Sequence, residues 1–565
     1  MRAAAPPLVF AAVSVGLTWA AWAHPGSRMV GTSANPAAKV WFLAWFAQGL
    51  AHGHVHLLTS LSTSPQAINL MWNNSILGLA VLLTPLTLLA GPVIAYNAAM
   101  TLGLATSGWV TGLALRRYVR HPMAAWLGGA AFGFSPFILA EGDTGHLPWV
   151  TLWSLPLLLL LLDSLVRGRR SPRWLGLGLG AWGGFELLTS EELVTTCALV
   201  AAGSLALLAA THPQAVRRVG PRVAAALLVA VPVALLLAGV PLAVQFLGPH
   251  RLLGGVVQPP TTNVADLLAF GLPTQLQAVS PASLVGLTQH FTGYPFDRVV
   301  YLGLPLCLAL AWVVASGRRD PLVRFFAILA GAVVVLALGS HLHVDGRATD
   351  IPLPWSLLAR IPLLGKVLPS RLMAVAWLAV AALVALGVDR LADRRGGQAR
   401  VRSAFLVGVV ALSLVPAGGE ITSAAAVPPF FRSAAPERAA ATGTLLTTPI
   451  PNAGGCTELL WQAAAHFTYA TPAGCLLHAG PRPGGIVSYA GASRLRQDLW
   501  RTQAGGTVPV TAGTRPPLLA RLAAWRVRAI AVGPGPGEAQ TLRFVAALLR
   551  QRGRRQGGVW LFWVG

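Results

Sequence analysis

The sequence predicts an α-helical polytopic membrane protein of about eleven spans, followed by a small extracytoplasmic α/β domain. Three observations predict it. The 565 residues are 55% apolar and only 11% charged, where a soluble domain carries roughly 25% charged residues. Mean hydropathy is +0.63, and apolar runs of about 20 residues, the thickness of a bilayer core, recur along the chain. The formal net charge of +24 sits mostly in arginines that cluster in short loops between those runs. That is the positive-inside pattern, not the continuous basic stripe of a nucleic-acid-binding surface, so no nucleic-acid partner is expected.

The elements follow in order. Met1-Arg2, the apolar run from Pro6 to Ala20 and Ala21-Trp22-Ala23 read either as a secretory signal with an A-x-A cleavage site or as an uncleaved first span. Both place Arg2 in the cytoplasm and His24 outside. The Arg116–Arg120 loop should be cytoplasmic, so Pro92–Leu115 enters from outside. Ile76–Gly91, with Pro85 in its middle, is then expected to be re-entrant or juxtamembrane on the outer face, because a full crossing would put every later Arg loop on the wrong side. The remaining spans alternate: Met123–Ala140, Leu147–Leu165, Leu175–Leu188, Leu193–Ala210, Val223–Val244, Val300–Ala315, Phe325–Leu338, Leu372–Val388 and Phe405–Pro416. Arg167–Arg173, Arg217–Arg222, Arg318–Arg324 and Arg390–Arg402 fall inside. The long loops 24–91, 245–299 and 340–371 face outward, as does the tail. The division expected is a membrane domain over 1–416 and an extracytoplasmic domain over 417–565.

In the tail the apolar runs shorten to Ala529–Val532 and Val559–Val564, flanking the helical pattern Ala539–Arg550; strand, helix, strand is the signature of a small α/β unit. It contains Cys456 and Cys475. Two cysteines in an oxidising compartment suit a disulfide, the alternative being two unrelated thiols.

Acidic residues are few, and none precedes Glu141. Glu141, Asp143, Glu186, Glu191, Glu192, Asp266, Asp297, Asp345 and Asp350 then gather on the outer side. Carboxylates at a membrane interface are costly and point to function, which makes Glu141, Asp143, Glu191 and Glu192 the catalytic candidates. Each has a plainer reading. Ser190 can cap a helix whose positive end meets Glu191 and Glu192, and turn chemistry explains Gly142 and Asp143, although it does not require His146 beside two acids. His52, His54 and His56 alternate, so they share a face only in an extended segment. With no Cys/His quartet there is no clear metal motif and no metal ligand is assigned, although a divalent cation stays open as cofactor. Arg298 and Arg371 are outer arginines whose planar fork suits a phosphate. Asn35, His54, His146, Asp297, Arg298 and Arg371 are the substrate-binding candidates.

Several short blocks resemble the GT-C type of integral-membrane glycosyltransferase, particularly multispanning actinobacterial members. They are Gly91-Pro-x-x-Ala-Tyr-Asn97, Phe134-Ser-Pro136, Ser190-Glu-Glu192, Tyr301-Leu-Gly-Leu-Pro-Leu306, Pro369-Ser-Arg371 and Leu460-Trp-Gln462, with the Trp/Phe-rich segment Trp41–Phe46. The resemblance implies transfer of a sugar from a polyprenyl-phosphate donor to an extracytoplasmic glycan or lipid acceptor of the cell envelope, at the surface of the bacterial plasma membrane. It also implies a catalytic carboxylate in the first outer loop. Asn35-Pro36 stands at that place, and an amide cannot accept a proton as a carboxylate does. Either another acid serves as base, or the protein is a catalytically inactive glycan- or lipid-binding relative. A transporter is the third reading, disfavoured because the acids gather at one face instead of the midplane.

Overall fold

The structure is a computed structural model describing residues 5–211, 213–252, 263–291, 300–361, 364–393, 397–417, 421–451, 455–479, 486–487 and 493–565. Among the described residues, four helices are long and apolar enough to cross a membrane: Pro92–Leu115, Pro122–Asp143, Pro213–Leu247 and Pro369–Ala392. Six shorter apolar helices accompany them, among them Leu77–Ala90 with Pro85 inside it. The chain divides into two compact units. One contains Met1–Trp19, Ala98–Ala238 and Val256–Ile421; the other contains Ala20–Asn97, Gly239–Gly255 and Thr422–Gly565.

In the first unit Met373–Ala392 is the central helix, and nearly every side chain on it is buried. Ala, Val and Leu make up most of it, so it can be surrounded by other helices without stranding polar groups. Pro92–Leu115 and Pro122–Gly133 meet through glycine: a Cβ at Gly129 would lie 2.5 Å from the Gly108 carbonyl oxygen, and one at Gly133 would lie 2.5 Å from the Gly108 Cα. Small residues let backbones approach where the solvent drives no hydrophobic association. The arginine-rich ends carry their own acids. Asp163 meets Arg167 at 2.6 Å, and Asp320 meets Arg390 at 2.7 Å.

Two expected spans contain breaks, and one expected loop is helical. Met123–Ala140 falls within the candidate span Pro122–Asp143, inside which Ser135, whose Oγ accepts from the Ile138 N–H at 3.3 Å, restarts the helix before Pro136. Proline at the first helical position and serine at its cap make that break. Leu147–Leu165 is likewise divided into Leu147–Val150 and Ser154–Val166. Arg217–Arg222 is not a loop but lies within the 35-residue helix Pro213–Leu247, because charged residues at the head of an apolar helix do not stop helix propagation.

In the second unit Asn35–Ala51 packs on Leu77–Ala90 and on Thr457–Ala464. Trp41 donates its indole N–H to Gln462 Oε1 at 3.1 Å, and Gln462 Nε2 donates to the Leu61 carbonyl at 2.9 Å. Arg28–Val30 pairs antiparallel with Thr422–Ala424. The tail forms a four-stranded sheet in the spatial order Arg554–Gln556, Val559–Trp563, Val527–Val532, Thr444–Thr448, with the last two parallel and the others antiparallel. Leu446, Ile530, Val532, Leu499, Leu522, Phe544 and Leu548 fill the core between that sheet and its helices. Cys456 and Cys475 are disulfide-bonded, with Cα atoms 5.8 Å apart.

Candidate active site

Within the first unit the structure brings together four of the candidates named from sequence: Glu141, His146, Glu192 and Arg371. Glu141 and Asp143 do not lie in a turn, as their glycine-rich neighbourhood suggested, but on the last turn of the helix Pro136–Asp143. The turn comes over the next two residues, where Gly145 adopts φ +72°, a value that favours glycine. That reversal returns the chain so that His146 lies beside the acid five residues before it. His146 Nδ1 is 2.6 Å from Glu141 Oε2 and 3.1 Å from Thr144 Oγ1. Glu141 is 3% and His146 8% exposed, so a carboxylate and an imidazole are paired in a largely dry setting.

Arg371 comes from the short helical segment Pro369–Leu372, at the head of the central helix. Its Nη1 donates to Glu192 Oε2 in a short ion pair, and its Nε lies 3.9 Å from Glu141 Oε1. The guanidinium carbon sits 5.1 Å from the centroid of the Trp149 ring, which it overlies, a cation–π arrangement. Glu192 accepts a second hydrogen bond, from the Leu368 backbone N–H at 3.0 Å. Glu192 holds the guanidinium by a charge-assisted hydrogen bond, and Glu141 faces it from the Nε side. Glu191 and Glu192 open the helix Glu191–Thr211, and Ser190 Oγ accepts from the Leu193 N–H at 3.3 Å. Ser190 is therefore a cap, while Glu192 is also an ion-pair partner.

The remaining candidates are placed elsewhere. Asp143 and Glu191 are half-buried near the group but belong to none of the contacts just described. Asn35 and His54 belong to the other unit. Asn35 begins its helix and donates from Nδ2 to Ser33 Oγ at 3.0 Å. His54 is exposed, with its ring 6.3 Å from that of His56. Asp297 and Arg298 lie outside the described residues. Asp266, counted among the outer acids, is a backbone clamp: it accepts from the N–H groups of Leu268 at 2.9 Å and Gly346 at 2.8 Å, fixing the turn of the hairpin between His341–Val344 and Arg347–Pro352. Among the described residues, the one cluster with metal-ligand geometry is Cys456, Glu458 and Cys475, and its two cysteines are joined to each other. Trp149 was not singled out from sequence. Its signal was its place three residues after His146.

These apolar helices, broken near their ends by polar caps, suit a multispanning membrane protein. Among solved structures, the chain is similar to the cryo-electron-microscopy structure of the arabinofuranosyltransferase AftD from mycobacteria. The match has a TM-score of 0.52 and 16% identity, and it covers 99% of this chain and 41% of that one. The chain thus spans less than half of the protein it resembles, and the likeness is one of fold. No family model matches the sequence, and no curated protein does.

Proposed function

We propose that this protein is a membrane glycosyltransferase that moves a sugar from a polyprenyl-phosphate donor to a hydroxyl-bearing acceptor of the cell envelope. The observation that carries the reading is the buried Glu141–His146 pair beside the Arg371–Glu192 ion pair. With Glu141 ionised, Nδ1–H donates to it, and the imidazole lone pair is on Nε2. Nε2 takes the proton of the acceptor hydroxyl as that oxygen bonds to the sugar C1. The bond from C1 to the donor phosphate oxygen breaks, and the lipid phosphate leaves with its electron pair. Glu141 stabilises the imidazolium, a general-base role of the kind that contributes about 10²–10⁴ in rate. Arg371, preset by Glu192 and Trp149, draws the donor phosphate. A base drawn from the helices answers the amide at Asn35.

The test is transfer from a panel of radiolabelled polyprenyl-phosphate sugars by the protein in nanodiscs. Turnover that falls at least a hundredfold in both His146→Gln and Glu141→Gln supports the assignment. Turnover unchanged in His146→Gln removes His146 from the chemistry. Donor binding without turnover supports the second reading, a glycan-binding relative, which Asn35 favours; Asn35→Asp would then be expected to gain activity.

A further inference from the structure

The tail contains a cavity of about 350 Å³ that has no part in the transfer chemistry above. It falls within the size range of small-ligand pockets. We infer that it is a binding subsite for a neutral, hydroxyl-rich glycosyl unit, with Trp500 as the stacking face and Gln503 as the polar anchor. Trp500 and Gln503 lie three residues apart on the helix Arg494–Gln503, so both project from one face. Trp500 is half-buried, and its indole N–H donates to the Pro451 carbonyl at 2.8 Å. That bond fixes the ring plane before any ligand arrives. Gln503 is 7% exposed; its Nε2 donates to the Ile450 carbonyl at 3.1 Å, and its Oε1 has no hydrogen-bond partner among the described residues. A buried acceptor without a donor is costly, and a ligand hydroxyl is the kind of group that offsets it.

The rest of the lining selects the ligand class. Thr457 adds a hydroxyl, Pro449, Ile450 and Pro536 add apolar surface, and none of the lining residues is charged. A phosphate or carboxylate ligand would meet no cation there, and a purely apolar ligand would leave Gln503 Oε1 unsatisfied. A sugar ring matches both demands, with a C–H face for the indole and hydroxyls for the amide and threonine. The exposed Ala504 and Pro536 among the lining residues open the site to solvent.

The inference stands apart from the transfer reading, and its test separates the two. Full-length protein in nanodiscs is titrated with neutral di- to tetrasaccharides of arabinose, galactose, mannose and glucose, and binding is read by saturation-transfer NMR. Inorganic phosphate and a serine/alanine hexapeptide serve as further probes. The expected result is saturation transfer to at least one saccharide and to neither other probe. Its Kd should rise about tenfold in Trp500→Ala and about fivefold in Gln503→Leu, while Trp500→Phe, which keeps an aromatic face, stays within about threefold. Glu141→Gln, which disables transfer in the reading above, should leave this Kd unchanged. The inference is overturned by the absence of saccharide signal, by binding of phosphate or peptide instead, or by saccharide binding that survives Gln503→Leu in a variant melting at the wild-type temperature.

Discussion

Glu458→Gln is expected to remove a pH-dependent weakness from the tail. Glu458 lies in the first turn of Thr457–Ala464 and is fully buried. Burial pushes its carboxyl up from 4.5 to about 8, against weaker opposing pulls from the backbone N–H groups of Glu458 and Cys475 and from the Arg496 guanidinium. An acid raised in this way stays protonated in the folded state while the unfolded chain ionises. The folded state then binds more protons, and stability falls as pH rises from about 4.5 to about 8. At about 1.4 kcal/mol per pH unit, the whole window is worth about 5 kcal/mol. His478, which is buried, is depressed by that burial and acts with the opposite sign below its ordinary value of 6.5. The clean window is therefore pH 6.5 to 8, where Glu458 alone of this pair contributes about 2 kcal/mol. Hydrogen–deuterium exchange of the full-length protein in nanodiscs, corrected for intrinsic rates, reads it directly. Amides of the two helices Thr457–Ala464 and Arg494–Gln503 should lose about 2 kcal/mol of protection across that window in the wild type and hold it in Glu458→Gln. Equal slopes in the two proteins would refute the reasoning.

Other outcomes follow from the same contacts. Glu192→Gln should destabilise the first unit by about 3–5 kcal/mol, since Arg371 would keep its charge beside a neutral amide; the paired change Glu192→Leu with Arg371→Met should cost less than Glu192→Gln alone in a thermal melt. Gly129→Val places a branched side chain where a Cβ already lies 2.5 Å from the Gly108 carbonyl oxygen, so it should lower the melting temperature by several degrees or prevent membrane insertion. Asp266→Asn keeps the shape but weakens a charge-assisted acceptor, and it should raise amide exchange at Leu268 and Gly346 by about tenfold. Lys366 is exposed and Lys39 buried, and they are the two lysines of the chain. An impermeant amine reagent on intact cells should label Lys366 if loop 340–371 faces outward, and labelling only after lysis would invert the proposed topology.

The membrane class and much of the helix inventory were legible in the sequence because hydropathy over about 20 residues is a strong, local signal. The breaks inside those runs were less so. Phe134-Ser-Pro136 marked one of them plainly, since proline and a capping serine act on their own backbone neighbours, whereas Leu147–Leu165 breaks with no proline at the break itself. Charge misled at Arg217–Arg222, where arginines that suggested a loop lie on a helix. Glu141 and His146 could be read as neighbours because a five-residue turn is local. Their meeting with Arg371 could not, because it joins positions 230 residues apart in the sequence.

That long-range meeting also decides how the rare acids differ. A carboxylate in an apolar bundle must be paired, hydrogen-bonded or protonated. Asp266 meets the demand with backbone N–H groups and so serves the fold of a hairpin. Asp163 and Asp320 meet it with arginines at the helix ends. Glu141 meets it with an imidazole and a guanidinium that themselves have other partners, His146 with Thr144 and Arg371 with Glu192 and Trp149. A single buried salt bridge is often no better for stability than apolar packing of the same volume, and four ionisable side chains drawn into one such network are costlier still. Stability alone gives no reason to keep that arrangement. The proposed sugar transfer would supply one, because proton transfer beside a phosphate needs a base, a cation and little water in one place.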